Sequence, residues 1–138
     1  PEEAHRRRGA FFTFNAEKFV SALAAARESG FGLFPSFDHA VGDPVENDIA
    51  VTADHKLVII EGLYLLLDID PWNRIKDILD YSIYIDCPKI ELENRLIKRH
   101  MATLGLSEEA AKDRAIHNDL VNAIEISASK KNANFIIS

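Results

Sequence analysis

Leu57-Val58-Ile59-Ile60-Glu61-Gly62 is an apolar run that stops at a carboxylate and a glycine, and Leu63-Tyr64-Leu65-Leu66-Leu67-Asp68 extends it. A largely β-branched run without polar alternation suits a strand covered on both faces, as in a parallel sheet with helices on each side. Ligands of such sheets bind beyond the carboxyl ends of the strands. The run therefore places Glu61 at the edge where chemistry is expected.

Upstream of it, Asn15 reads as the N-cap of a helix through Arg27, with Glu17 in the first turn. Phe19, Val20, Leu23 and Ala26 recur at helical spacing, and Gly30 is a natural stop. Pro35 to Asp48 carries Pro, Gly, Asp and Asn punctuation and reads as a long loop. Ile49-Ala50-Val51 and Leu57 to Ile60 flank a turn, which predicts a short strand folding back onto the main one.

Downstream, Asp70-Pro71 reads as an N-cap and first-turn proline starting a helix to Leu79. Tyr81 to Asp86 predicts a second strand. Pro88 opens a third helix ended by Gly105, with Ile90, Ile97, Met101 and Leu104 on one face. Ser107 caps a fourth, with Ala111, Ile116, Leu120 and Ile124 as its apolar positions. Asn134 to Ile137 is the last strand. Strands alternating with helices predict an α/β fold with a mostly parallel sheet.

The composition narrows function. With 138 residues, 47% hydrophobic and 28% charged, the chain has enough material for one globular domain. A net charge of −6 argues against a nucleic-acid binder that works by neutralising phosphates. Cys87 is the sole cysteine, so no internal disulfide forms, and a reducing, cytoplasmic setting is expected. No apolar stretch approaches the ~20 residues of a membrane span. His5, His55, His117 and Cys87 lack metal-ligand spacing. The chain begins at Pro1 and its only methionine is Met101, so a fragment or processed product is expected.

Several segments occur in one order along nearly the whole chain: Arg8-Gly9-Ala10 with Thr13-Phe14, Pro35-Ser36-Phe37-Asp38-His39, Glu61 to Asp68 with Pro71-Trp72, Arg95-Leu96-Ile97-Lys98-Arg99-His100, Arg114 with Asn118-Asp119 and Asn122-Ala123, and Ala133 to Ile137. In this the chain resembles the uridine kinase/phosphoribulokinase-type P-loop kinases, in particular their nucleoside/nucleotide kinase branch. Two further parts of that family's pattern are missing from the sequence. One is the Gly-x-x-x-x-Gly-Lys-Ser/Thr loop that cradles ATP phosphates. The other is a strand-end aspartate that serves the acceptor hydroxyl. None of Gly9, Gly30, Gly32, Gly42, Gly62 and Gly105 precedes a Lys-Ser or Lys-Thr pair, and truncation is the expected reason.

The resemblance implies a partial three-layer αβα P-loop kinase-like domain over residues 1–138, with a lid around residues 95–114. It implies ATP and Mg²⁺ as cofactors and a small hydroxyl-bearing substrate, with no nucleic-acid or membrane partner. Glu61 matches the carboxylate beside the metal and phosphates, so it is both a catalytic and a metal-binding candidate. A strand-end glutamate turned to water is its plainer reading. Arg95 and Arg99 match lid arginines that meet the transferred phosphate, with Lys98 and Arg114 toward ATP. Their plainer reading is a solvated helix face in which Glu91 pairs with Arg95. Asp38 and His39 match acceptor-side residues, and Arg8 could face a phosphate. An Asx-type turn and a basic tail Arg6-Arg7-Arg8 are the corresponding structural readings. Gly62 would permit close backbone approach, and Phe11, Phe12 and Phe14 read as core in preference to a base-stacking platform.

On this reading the intact protein is a kinase and the 138 residues alone are inactive. The rival is a non-catalytic kinase-like remnant retained for binding or assembly. A phosphate-ester hydrolase has less support, because Asp86-Cys87-Pro88 offers only a lone thiol before a helical proline.

Overall fold

Asn15 does cap the first helix: its side chain accepts from the Lys18 N–H, and α1 runs over Ala16–Ser29. Gly30 closes it at φ 73°, a left-handed conformation that glycine adopts without strain. The computed structural model describes residue 7 and residues 9–38 and 43–138. Val20, Leu23 and Ala26 are buried along one face of α1, as the spacing predicts, and Phe19 packs partly against the same core.

The expected loop after α1 is instead a β-hairpin. Strand β1 (Gly32–Asp38) pairs antiparallel with β2 (Asp43–Val51). Pro35, which cannot donate to a ladder, sits where the register shifts, with Glu46, Asn47 and Asp48 opposite it. Asn47 takes φ 59° there. The punctuating residues thus mark a bulge inside a hairpin, where the sequence reading placed a loop. It follows that Ile49–Val51 pairs with Gly32–Phe34 and not with Leu57 to Ile60. At Gly32 the strand approaches α1 closely, because a Cβ there would lie 2.6 Å from the Ala26 Cβ.

Leu57 to Ile60 forms no ladder among the described residues. Ile60 tucks against the core, while Leu57 and Ile59 are 75% and 83% exposed. The strand expectation therefore fails here for a simple reason. An apolar run encodes a preference for cover, but strand pairing needs a neighbour, and no described strand lies in register with it.

Asp70 does not cap a helix. The Asp70–Pro71 bond is cis, a six-residue 3-10 helix occupies Trp72–Asp77, and the Asp70 carboxylate binds Arg74 instead. Within that turn Ile75 and Trp72 are buried and join Tyr64, Leu67, Val20 and Leu23 in the main core. The second strand is shorter than expected: β3 is Ile83–Ile85, and it pairs in parallel with β4, Phe135–Ile137.

Helix α2 (Lys89–Leu104) starts at Pro88 and ends at Gly105, which adopts φ 63°. Its buried face is Leu96 and His100, however, while Ile90, Met101 and Leu104 are exposed. Ser107 caps α3 (Glu108–Arg114) by accepting from the Ala110 N–H. A π-helical turn, Ala115–Asp119, joins α3 to α4 (Leu120–Ser129). That wider turn rotates the inward face. Ala111, Ala115 and Leu120 are buried, while Ile116 and Ile124 of the expected stripe face solvent. Leu96, Ala115 and Leu120 form a second small core. The chain is an α/β protein with one antiparallel and one parallel strand pair among the described residues. No helix among them is long and apolar enough to cross a membrane.

Candidate active site

The apolar run ends at Glu61, which is exposed and has no hydrogen bond or ion pair among the described residues. Gly62 does not use a left-handed φ; a Cβ there would lie 3.3 Å from Leu65 side-chain atoms. The chain then turns inward, and Tyr64 is only 2% exposed. Its hydroxyl donates to the Gly9 carbonyl at 2.6 Å, tying the segment after Glu61 to the segment around Arg7–Thr13. Burial pushes the Tyr64 phenol up to about 12, with the Glu125 carboxylate adding to the rise and Arg7 opposing it.

Further hydrogen bonds fix the segment that Tyr64 holds. Thr13 Oγ1 accepts from the Gly9 N–H and donates to the Ala10 carbonyl. Arg7 donates to Asn122 Oδ1 at 2.9 Å, from partly buried ground, so it is not the loose basic tail its sequence setting suggested. Asn122 lies on α4, one turn beyond Asp119, whose carboxylate sits 2.7 Å from Nε2 of the buried His100 on α2. The π-helical turn is thus pinned to α2 at one residue, and α4 to the Arg7 segment at another. The side-chain Nε atoms of Arg7 and Arg114 are buried without a hydrogen-bond partner among the described residues.

The predicted cations lie around this scaffold. Arg95, Lys98 and Arg99 are exposed on α2, and Arg114 is half-buried at the end of α3. Arg95 Nε donates to Glu91 at 2.7 Å, and this hydrogen bond holds the guanidinium's pKa above its ordinary value. That is the solvated-face pairing expected of the sequence. Lys98 and Arg99 carry no ion pair among the described residues. Asp38 is the last residue of β1, opposite Asp43. His39 and Arg8 lie outside the described residues. No hydrogen bond or ion pair joins Glu61 to the three α2 cations among the described residues.

Glu61 offers oxygen donors of the kind a hard cation takes. Magnesium takes one or two carboxylates and completes its shell with water and substrate phosphate, and Glu61 supplies one carboxylate with no partner among the described residues. No group of three or more His, Cys, Asp or Glu gathers as a metal cage among the described residues. Sequence reasoning named Tyr64, His100, Asp119 and Asn122 only within matching segments and Arg7 only within a basic tail, and gave none of them a role at the site. The available signal was polar residues at helical spacing (Asn118, Asp119, Asn122) inside an otherwise apolar helical stretch.

Comparison with known proteins gives a consistent result. The model of the phosphoribulokinase/uridine kinase family matches residues 2–138. An ATP-dependent kinase-like protein, notR', from Aspergillus versicolor is 38% identical over 133 residues, covering 91% of this chain and 77% of that protein. A solved protein from Silicibacter sp. TM1040, proposed to be a fructose transport system kinase, superposes with TM-score 0.91 at 34% identity. That alignment covers 100% of this chain and 66% of the other. YFH7 from Saccharomyces cerevisiae shares the fold at TM-score 0.84 and 24% identity, over 99% of this chain and 50% of that one. The chain therefore spans only part of each relative's length.

Proposed function

The chain belongs to the phosphoribulokinase/uridine kinase family, and from that premise we propose that the intact protein transfers a phosphoryl group from ATP to a hydroxyl of a small metabolite. Acceptors of the proposed class are a nucleoside, a sugar or a pantothenate-like acid. Residues 1–138 form one P-loop kinase-like domain on this reading, with residues 95–114 as its lid, working in the cytoplasm with Mg²⁺.

The observation that best supports the reading is the free carboxylate of Glu61 at the end of an apolar run, where the family pattern wants a metal-side acid. Phosphoryl transfer asks a protein for positioning and charge neutralisation more than for covalent chemistry. Glu61 holds the metal. Arg95 and Arg99 face the transferred group, and Lys98 and Arg114 face ATP. Asp38, His39 and Arg8 hold the acceptor. Lys98 and Arg99 can turn to phosphate without breaking a bond, whereas Arg95 must first leave Glu91, an exposed pair that water and salt weaken.

The test is ATP consumption measured for the 138 residues alone and for a product of the same gene that carries an upstream Gly-x-x-x-x-Gly-Lys-Ser/Thr segment. Turnover only in the longer product supports the reading. Turnover by the 138 residues alone would refute their inactivity, and an open reading frame starting just before Pro1 favours the remnant reading instead.

A further inference from the structure

Phe11, Phe12 and Phe14 were expected to be core, but Phe12 and Phe14 are 50% and 48% exposed. Together with Phe11 and Trp72 they line an open cleft of about 310 Å³ between the start of α1 and the 3-10 turn at Trp72. The rings are already arranged edge to face. Phe11 and Phe12 lie 5.6 Å apart at 86°, Phe14 and Trp72 6.3 Å apart at 78°. Tyr64 and Trp72 are buried, and both meet the ring of Phe14, at 5.7 Å and 6.3 Å. Half-exposed aromatics gathered on one cleft are unlike the single exposed apolar residues of an ordinary surface.

The rim carries sign as well as shape. Glu17 and Asp70 border the cleft, and both carboxylates are clamped by Arg74, at 2.7 Å and 3.0 Å. Two carboxylates share one guanidinium, so among the described residues the rim is net negative and offers no free cation for a phosphate. We propose that this cleft binds a planar aromatic ring that is neutral or positively charged, stacked on Phe12 and Phe14 with its donor or cationic groups toward Glu17 and Asp70. Faces of aromatic rings attract such groups through their quadrupole, and carboxylates accept from them. The site shares no residue with Glu61, Arg95, Arg99, Lys98, Arg114 or Asp38, and the assignment holds whether or not the chain turns over ATP.

Trp72 is the only tryptophan and lines the cleft, so its fluorescence reports binding in the chain as it stands. Adenosine and benzylammonium are titrated against it, with AMP, inorganic phosphate and sorbitol as comparisons. A saturable change is expected with adenosine and benzylammonium, weaker for AMP, and none with phosphate or sorbitol. Phe12→Leu, which keeps apolar bulk but removes the ring, should weaken adenosine about tenfold. Phe12 makes its one described ring contact to Phe11, so far-UV circular dichroism should be unchanged. The proposal is overturned by no saturable change with either aromatic probe up to about 10 mM, by AMP binding tighter than adenosine, by a like response to sorbitol, or by Phe12→Leu binding as the wild type does.

Discussion

Tyr64→Phe removes one oxygen atom from the most enclosed polar contact near the candidate site, and its effect on stability should reverse sign with pH. At neutral pH the variant leaves the Gly9 carbonyl without the donor that reaches it at 2.6 Å. Losing such a bond from partly buried ground costs about 1–2 kcal/mol. For 138 residues the unfolding entropy is about 0.3 kcal/mol/K, so a loss near 1.5 kcal/mol lowers Tm by about 5 °C. At high pH the same hydroxyl becomes a liability. The unfolded phenol ionises near its model value of 10 and the folded one at about 12, chiefly because burial penalises the phenolate. Stability tied to the neutral phenol is therefore intact below pH 10 and is lost as pH rises toward 12. Integrating across that window removes on the order of 2 kcal/mol from the wild type and nothing from the phenylalanine variant. The two stability curves should cross near pH 11, with the variant the more stable above it. Urea unfolding followed by Trp72 fluorescence at half-unit pH steps measures this directly. A constant difference between the two proteins from pH 8 to 12 would refute the reasoning.

Other expectations concern single features of the fold. Gly32→Ala should cost about 1–3 kcal/mol, because the new methyl meets the Ala26 Cβ at 2.6 Å and the hairpin must lift off α1; an unchanged urea midpoint would contradict this. Ser107→Ala should cost about 1 kcal/mol by freeing the Ala110 N–H that its side chain caps, read in the same unfolding assay. Asp119→Ala strands Nε2 of buried His100 and should lower Tm by several degrees, while Asp119→Asn, which keeps an acceptor, recovers most of the loss. Arg27→Ala should leave Tm within replicate scatter, because its pair with Asp80 is solvent-exposed, and a fall of several degrees would be the wrong result.

The elements legible in the sequence were those marked by local chemistry. Asn15 and Gly30 bounded α1, Pro88 and Gly105 bounded α2, and Ser107 opened α3, because caps and stops act through neighbours only three or four residues away. The hairpin was illegible because Pro35 and Asn47 carry the marks of a loop, and only the pairing shows that they share a bulge. The inward face of α3 and α4 was misread for a related reason. A π-helical turn adds a residue per turn, which no count at 3.6 anticipates. Around the candidate site, Glu61, Arg95, Lys98 and Arg99 were legible as exposed charged groups, which is what the structure shows of them. The hydrogen bonds from Tyr64 to Gly9 and from Arg7 to Asn122 join residues far apart in sequence, and no local pattern encodes the choice of partner.

These two groups of residues differ in what they can do. Tyr64, Asn122, Asp119 and His100 are buried or nearly so and committed to protein partners, so moving any of them breaks a hydrogen bond in a medium that makes the loss expensive. Glu61, Lys98 and Arg99 are exposed and free of ion pairs among the described residues, so they can reorient toward a metal or a phosphate at almost no cost from those neighbours. Under the proposed function that division assigns roles by energy. The committed residues keep the Arg7 segment, the turn after Glu61 and the π-helical junction in fixed relation, and the uncommitted charges meet the ligand. Arg95 stands between them, since its bond to Glu91 has to be exchanged. Substituting Glu91 should therefore release Arg95 without disturbing the scaffold, whereas substituting Asn122 should loosen the scaffold and leave every exposed charge in place.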